Sequence, residues 1–224
     1  MNGKSVVTYE TVKSDPEVRG LIEMANENLG IIGYTEHGER HLGVVADRAR
    51  NLLLELKHDE RRAELAAIAA HLHDVGNVIN RVHHAMLGAL LARPVLRRLG
   101  MPPREANLVA GAIGNHHEGE GDPVSDISAA VILADKSDVH STRVRTTGDV
   151  VTDIHDRVNF AAKNSDLFVK ENGDIIGVEI LIDPGVSTVM EYFEIFLNRM
   201  SVCRSSAEFL GAKFELIING VKLA

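Results

Sequence analysis

From Asp59 to His73 the chain reads as a helix so rich in alanine and leucine that it must be buried on most sides, and it runs out in Leu72-His73-Asp74-Val75-Gly76. An uncompensated charge at the end of such an element costs several kcal/mol. Metal coordination would compensate it. The dipeptide alone also has an ordinary explanation, a helix-terminal histidine beside a carbonyl with the aspartate turned to solvent, so the reading depends on what else reaches this point.

Five further helices are expected around it. Ser14-Asp15-Pro16-Glu17 predicts a helix start, with Ser14 as cap, Glu17 completing a capping box and Pro16 in the first turn, and an end near Gly30. After Gly33-Tyr34-Thr35, the spacing of Leu42, Val45, Ala49, Leu52 and Leu56 predicts a second helix. His37 and His41 are four apart, which places both on one face of its first turns, a spacing compatible with ligation and weak evidence alone. Gly76 and the polar Asn77, Asn80 and Arg81 form a turn. A helix from Val82 to Ala92 is then expected, stopped by Pro94, with His84 and Gly88 on one face. Pro102-Pro103 opens another that runs to Asn115-His116-His117-Glu118, where Gly119 and Gly121 end it. Ser125 caps a helix from Asp126 to about Val139, whose apolar body carries Asp135 and, about a turn later, Asp138; a carboxylate in such a helix is rarely left alone.

All 11 histidines lie between His37 and His155, whereas seven of the nine aromatic residues lie at Phe160 or beyond, which separates a histidine-lined site from a later aromatic core. A break at Thr146-Thr147-Gly148 precedes a helix from about Asp149 to Ala162. Strands Phe168 to Lys170 and Ile175 to Ile182 flank Glu171-Asn172-Gly173-Asp174, a hairpin signal. A long helix carries Val189, Phe193, Phe196, Met200, Cys203, Ala207 and Leu210 as a stripe, and Lys213 to Ile218 reads as a final strand. Such a stripe would suit a homodimer seam over 187–210; the preferred reading is that it covers the small sheet. The expected fold is mainly α: a helical domain over 1–145, a connecting helix over 146–163, and a small α+β subdomain over 164–224.

The formal charge of -8 and a pI near 5.8 supply no basic field, which argues against broad nucleic-acid binding and leaves room for a local phosphate pocket. The single Cys203 can form no intrachain disulfide. Met1-Asn2-Gly3-Lys4 leads into no apolar signal region, and no run approaches the roughly 18 apolar residues of a membrane span. A soluble cytoplasmic protein is expected.

The candidate ligands are imidazoles and carboxylates without thiolates, a set suited to Fe, Mn, Zn or Co. There are more of them than the roughly four donors one tetrahedral ion needs, so two divalent transition-metal ions are expected, with Asp74 bridging them. The order His41, His73-Asp74, Asp135 resembles the HD superfamily of metal-dependent phosphohydrolases, helical bundles with ligands on successive helices, over roughly Gly33 to Arg145. His84 in His84-Ala85-Met86-Leu87-Gly88 and the pair in His116-His117-Glu118 resemble the binuclear branch, which includes the HD-GYP phosphodiesterases. His37 falls where some of its members place an additional ligand for a third metal.

The resemblance implies that metals held by His41, His73, Asp74, His84, His116, His117 and Asp135 activate water and polarise a phosphoryl oxygen for in-line attack. Lys136, Arg143 and Arg145 would meet the remaining phosphate charge unless they form a solvated basic surface. Glu118 or Asp138 would orient water or carry a proton, unless either only supports a ligand histidine. Asn77 stands where many relatives have a phosphate-touching lysine, and its amide donates a hydrogen bond without charge. Glu120-Gly121-Asp122-Pro123 replaces Gly-Tyr-Pro, and the interval from Asp74 to His84 is short. These departures favour a small phosphorylated substrate or nucleotide over a cyclic dinucleotide. Two other classes share the pattern: a di-iron oxygenase, related to myo-inositol oxygenase, and a non-catalytic nucleotide- or metal-binding sensor or scaffold.

Overall fold

In the computed structural model, which describes residues 6–145 and 154–224, the first part of the chain is helical. Its helices are α1 (Tyr9–Lys13), α2 (Pro16–Ile31), α3 (Glu39–Glu55), α4 (Glu60–Leu72), α5 (His84–Arg98), α6 (Pro103–Gly114), α7 (Asp126–Ser137) and α8 (Ile154–Ala161). Strands β1 (Ala162–Lys170) and β2 (Ile175–Ile182), helix α9 (Val189–Phe209), and strands β3 (Lys213–Ile218) and β4 (Val221–Lys222) complete it. The fold is mainly α with a small α+β part at the end. Among the described residues no helix is long and apolar enough to cross a membrane.

Helix α4 sits at the centre, packed by α1, α3, α6 and α7. Every residue from Leu65 to Asn77 is buried, and Ala63, Ala66, Ala67, Ala69 and Ala70 let the surrounding helices come close on all sides. Asp59 caps its start by accepting from the Arg62 N–H, and Ser125 does the same for α7 through Ser128. The central helix therefore delivers His73 and Asp74 to the interior of the bundle.

Several boundaries differ from expectation for local reasons. Asp15, not Ser14, caps α2, because Pro16 occupies its first turn and the cap precedes it; Ser14 instead closes α1, its hydroxyl donating to Glu10 O. Pro94 does not stop α5, which continues to Arg98. It lies on the exposed face, so water can satisfy the carbonyl its ring leaves unpaired. Helix α6 ends at Gly114, before His116 and His117 rather than beyond them. Strand β1 starts at Ala162, well ahead of Phe168. The expected helix start near Asp149 lies outside the described residues.

The sheet order is β1-β2-β3-β4. β1 and β2 form an antiparallel hairpin through a 3-10 turn at Glu171–Gly173, where Asn172 and Gly173 take positive φ. β2 and β3 are parallel and therefore need a crossover, which α9 supplies. The stripe residues Phe196, Met200, Cys203 and Ala207 are buried, and α9 packs against α7 as well as β2 and β3. It joins the sheet to the helical bundle.

His71, two residues before the His73-Asp74 pair, is fully buried, its ring edge-on to Tyr9 at 5.4 Å, with no hydrogen-bond partner for either nitrogen among the described residues. Burial pushes its pKa down to about 4, helped by Lys13 and His73. A depressed histidine favours the fold while neutral, so its contribution is complete above pH 6.5 and is lost as pH falls towards 4. The loss amounts to roughly 3 kcal/mol. His71→Leu should remove this part of the acid sensitivity, measured by urea unfolding at pH 7 and pH 4.5. An unchanged slope with pH in the variant would refute the assignment.

Candidate metal centre

The four most buried site histidines are each held at Nδ1, three of them by a backbone carbonyl. His73 Nδ1 lies 2.6 Å from Ala70 O, His116 Nδ1 2.7 Å from Ile113 O, and His84 Nδ1 3.0 Å from Arg81 O. A carbonyl only accepts, so each Nδ1 carries a proton and each Nε2 is turned inward. For His73 and His116 the carbonyl belongs to the last turn of a helix, so the helix terminus itself sets the ring. His41 is held at Nδ1 by the Asp138 carboxylate, 2.7 Å away.

The Nε2 atoms converge on two carboxylates. Asp74 Oδ2 lies 3.2 Å from His73 Nε2 and 3.9 Å from His41 Nε2, while Asp74 Oδ1 lies 3.4 Å from His84 Nε2 and 3.9 Å from His116 Nε2. Asp135 Oδ1 lies 3.4 Å from His41 Nε2 and 3.6 Å from His73 Nε2. Three overlapping sets have ligand atoms close enough to hold an ion: His41, His73 and Asp74; His73, His116 and Asp135; Asp74, His84 and His116.

These residues fit a metal. The Nε2 atoms of His41 and His73 are buried with no aligned hydrogen-bond partner among the described residues. His84 Nε2 and His116 Nε2 face each other at 3.1 Å with both protons on the far nitrogens. Two lone pairs so placed repel; the Arg81 guanidinium, 3.2 Å from His84 Nε2, relieves part of this, and a metal cation between the two rings would remove the rest. The donor set is imidazole and carboxylate, suited to divalent transition metals. Burial pushes His84 down to about 4 against the pull of Asp74 and holds His116 well below the usual range, so both rings are neutral. His73 differs: burial opposes its charge, but Asp74 and Asp135 outweigh burial and raise it to about 10. A bound cation would replace that proton, so loading releases it.

A family model described as HD domain matches residues 39–157, more than half of the chain. The chain belongs to the HD domain family. It is similar to uncharacterized protein MJ1020 of Methanocaldococcus jannaschii, 25% identical over a 114-residue alignment that covers 44% of this chain and 44% of the other, so the chain spans less than half of that relative. It is also similar to a predicted HD superfamily hydrolase from an uncultured Thermotogales bacterium. That crystal structure shares 25% identity and a TM-score of 0.44, over 58% of this chain and 73% of the other.

Around the HD cluster, the remaining candidates divide by position. Asp138 is buried behind His41 and doubly bound by Arg40, at 2.8 and 3.1 Å, so it orients the ring and does not face the cavity. Burial opposes its ionisation, and His41, Arg143 and Arg40 together keep the carboxyl ionised. Asn77 is buried too, its amide donating to Asp74 Oδ1 at 3.0 Å and fixing that carboxylate. Lys136 lies between Asp135 Oδ2 at 2.7 Å and Glu118 Oε2 at 2.5 Å, and Glu118 Oε1 accepts from Arg199 Nε at 2.9 Å. His117 lines the pocket over the cluster, its ring 4.8 Å from that of His84, but falls outside the three sets.

His37 also falls outside them. It precedes the Gly38 cap of α3, so it does not share a helical face with His41; the loop brings the two rings to 5.5 Å, with His37 Nδ1 on Thr35 O. Arg145 donates to Tyr34 O and Asn26 and does not line the cavity. The cavity, about 480 Å³, is lined by Tyr34, His37, Arg81, Arg143, Phe196 and Arg199, among others. Arg81, expected only as a turn residue, and Arg199 are cavity residues that the sequence does not single out. Arg199 sits three residues after Phe196 of the apolar stripe, and that helical spacing was its one local signal.

Proposed function

We propose that this HD protein is a metal-dependent hydrolase that cleaves a small phosphoester or nucleotide at a two-metal site. The observation carrying this reading is that the two oxygens of one buried carboxylate, Asp74, face two different pairs of imidazole nitrogens. His41, His73 and Asp135 would hold an ion on one side of Asp74, and His84 and His116 on the other. Divalent cations there would supply Lewis acidity for water activation and for charge building on the phosphoryl oxygens.

The chain's own side chains do the rest. Asp138 and Asn77 keep His41 and Asp74 in their ligating orientations, which limits reorganisation on binding. The Lys136 ammonium, opposed by burial but raised by Asp135 and Glu118, stays protonated between the two carboxylates. Glu118 is occupied by Lys136 and Arg199, so its task is to place them rather than to take a proton from water. Arg81, Arg143 and Arg199 face the cavity where phosphate oxygens would lie.

The test is elemental analysis of the purified protein followed by assay of the Mn- or Fe-loaded form on a panel of phosphoesters and nucleotides. The expected result is about two ions per chain and turnover of at least one member. Full metal occupancy with no hydrolysis across the panel would overturn the reading.

A further inference from the structure

Two hollows meet above the ligand atoms, a small one directly over the cluster and the larger cavity beyond it. Arg81, Arg143 and Arg199 border both, with His37 and Glu118. Three guanidiniums from three distant segments thus form a collar between metal ligands and cavity. We propose that this collar selects phosphate monoesters over diesters, and that Arg199, on the carboxy-terminal helix α9, is a specificity-determining residue that binds the non-bridging oxygens of the monoester dianion. The proposal rests on the phosphoester reading above.

Charge is the first argument. Glu118 is a single carboxylate shared by two cations, Lys136 and Arg199. Arg81 stacks on Tyr34, 5.1 Å from its centroid, and has no carboxylate within 4.0 Å among the described residues. Arg143 donates to the carbonyls of Glu36 and Asp138; its nearest carboxylate oxygen, on Asp138, is 3.9 Å away and already bound by Arg40. Among the residues lining the small hollow over the cluster, Arg81, Lys136, Arg143 and Arg199 give four positive charges against three negative from Asp74, Glu118 and Asp135, so that hollow is positive before any ion binds. Asp156 adds a carboxylate to the larger cavity only. A monoester carries close to two negative charges at neutral pH, and a diester only one. The second charge is the one this surplus rewards.

Geometry is the second. Arg199 uses Nε on Glu118, and its planar group lies over Phe196 at 4.4 Å. Its two Nη groups have no other partner among the described residues, and α9 is anchored by the buried Phe196, Met200 and Cys203. A held guanidinium with free Nη donors suits bidentate binding of phosphate oxygens, which a diester reduces by substituting one of them. Ile195 and Phe196, beside it, wall the cavity where the alcohol portion would sit. These α9 residues lie outside the stretch matched by the family model, 39–157, whereas Arg81 and Arg143 lie inside it, so the appended helix completes a collar that the HD domain begins.

The test compares Arg199→Met, which keeps the stack on Phe196 and removes the charge, and Arg199→Lys with the natural protein. KM and kcat are measured on p-nitrophenyl phosphate and bis(p-nitrophenyl) phosphate, and inorganic phosphate is titrated calorimetrically into the chelator-treated protein. For Arg199→Met the expected result is a monoester KM raised about tenfold with kcat within about threefold, a diester KM within about twofold, and phosphate binding weakened about tenfold. Arg199→Lys should recover part of each loss, and it carries the test if the methionine variant does not fold. Equal effects on the two esters, or phosphate binding unchanged by either variant, would overturn the proposal. If the metal-loaded natural protein cleaves neither ester nor any member of the panel above, the phosphoester reading fails, and the phosphate titration still decides whether the collar binds the dianion.

Discussion

Asp74→Ala is expected to strip the metal from the protein and abolish turnover. Asp74 belongs to two of the three candidate ligand sets, and each of its oxygens faces a separate pair of histidines. Loss of an outer hydrogen-bond partner alone typically costs 10- to 100-fold in metal affinity, so loss of a ligand shared by two ions should cost on the order of 10³-fold or more in affinity and activity. The fold should survive, because Asp74 makes no capping hydrogen bond to the turn that follows it, and the Asn77 amide that loses Asp74 Oδ1 keeps the Asp74 carbonyl at 2.9 Å. Thermal melts give a second measurement. At about 100 times Kd a metal adds about 2.7 kcal/mol to the natural protein, a rise of about 5–10 °C for a chain this long, and the variant should show none. A variant retaining the natural metal content would exclude Asp74 as the shared ligand.

What was legible in the sequence was whatever depends on neighbours along the chain. Asp59 and Ser125 mark the starts of α4 and α7 because a cap bonds within its own first turn. The burial of α4 follows from its unbroken alanine and leucine surface. The ligand candidates His41, His73, Asp74, His84, His116 and Asp135 stood out together by order and chemistry, and the bundle brings those six into overlapping sets. Less was legible where the answer lies in a distant segment. Nothing near Asp138 shows that His41 and Arg40 occupy it from a helix 98 residues earlier. Arg199 acquires meaning only when α9 lies against α7 and meets Glu118. Asn77, read as a polar turn residue, is buried because the chain doubles back at Gly76 and packs the turn against α2 and α5.

That reversal underlies the second large effect. Gly76→Ala is expected to destabilise the protein by about 3 kcal/mol or more, a fall in Tm of roughly 6–12 °C. A Cβ at Gly76 would strike the His84 carbonyl and the Gly88 amide, both backbone atoms of α5, so no side chain can swing aside to relieve it. Gly88→Ala is the internal control: its nearest contacts are 3.2 Å to His73 O and to a methyl of Ile113, which small shifts absorb, so it should cost clearly less. The consequence for the site follows from which helix must move. His41 and His73 are set by α3 and α4, whereas His84 opens α5 and depends on the turn at Gly76 for its place 3.4 Å from Asp74. Any Gly76→Ala protein that folds should therefore keep the ion near His41 and His73 and lose the one near His84, so metal content would fall by about half. Differential scanning calorimetry and elemental analysis of the two alanine variants check both parts. If Gly76→Ala melts with the natural protein, the close packing of this turn on α5 is not what holds His84 in the cluster.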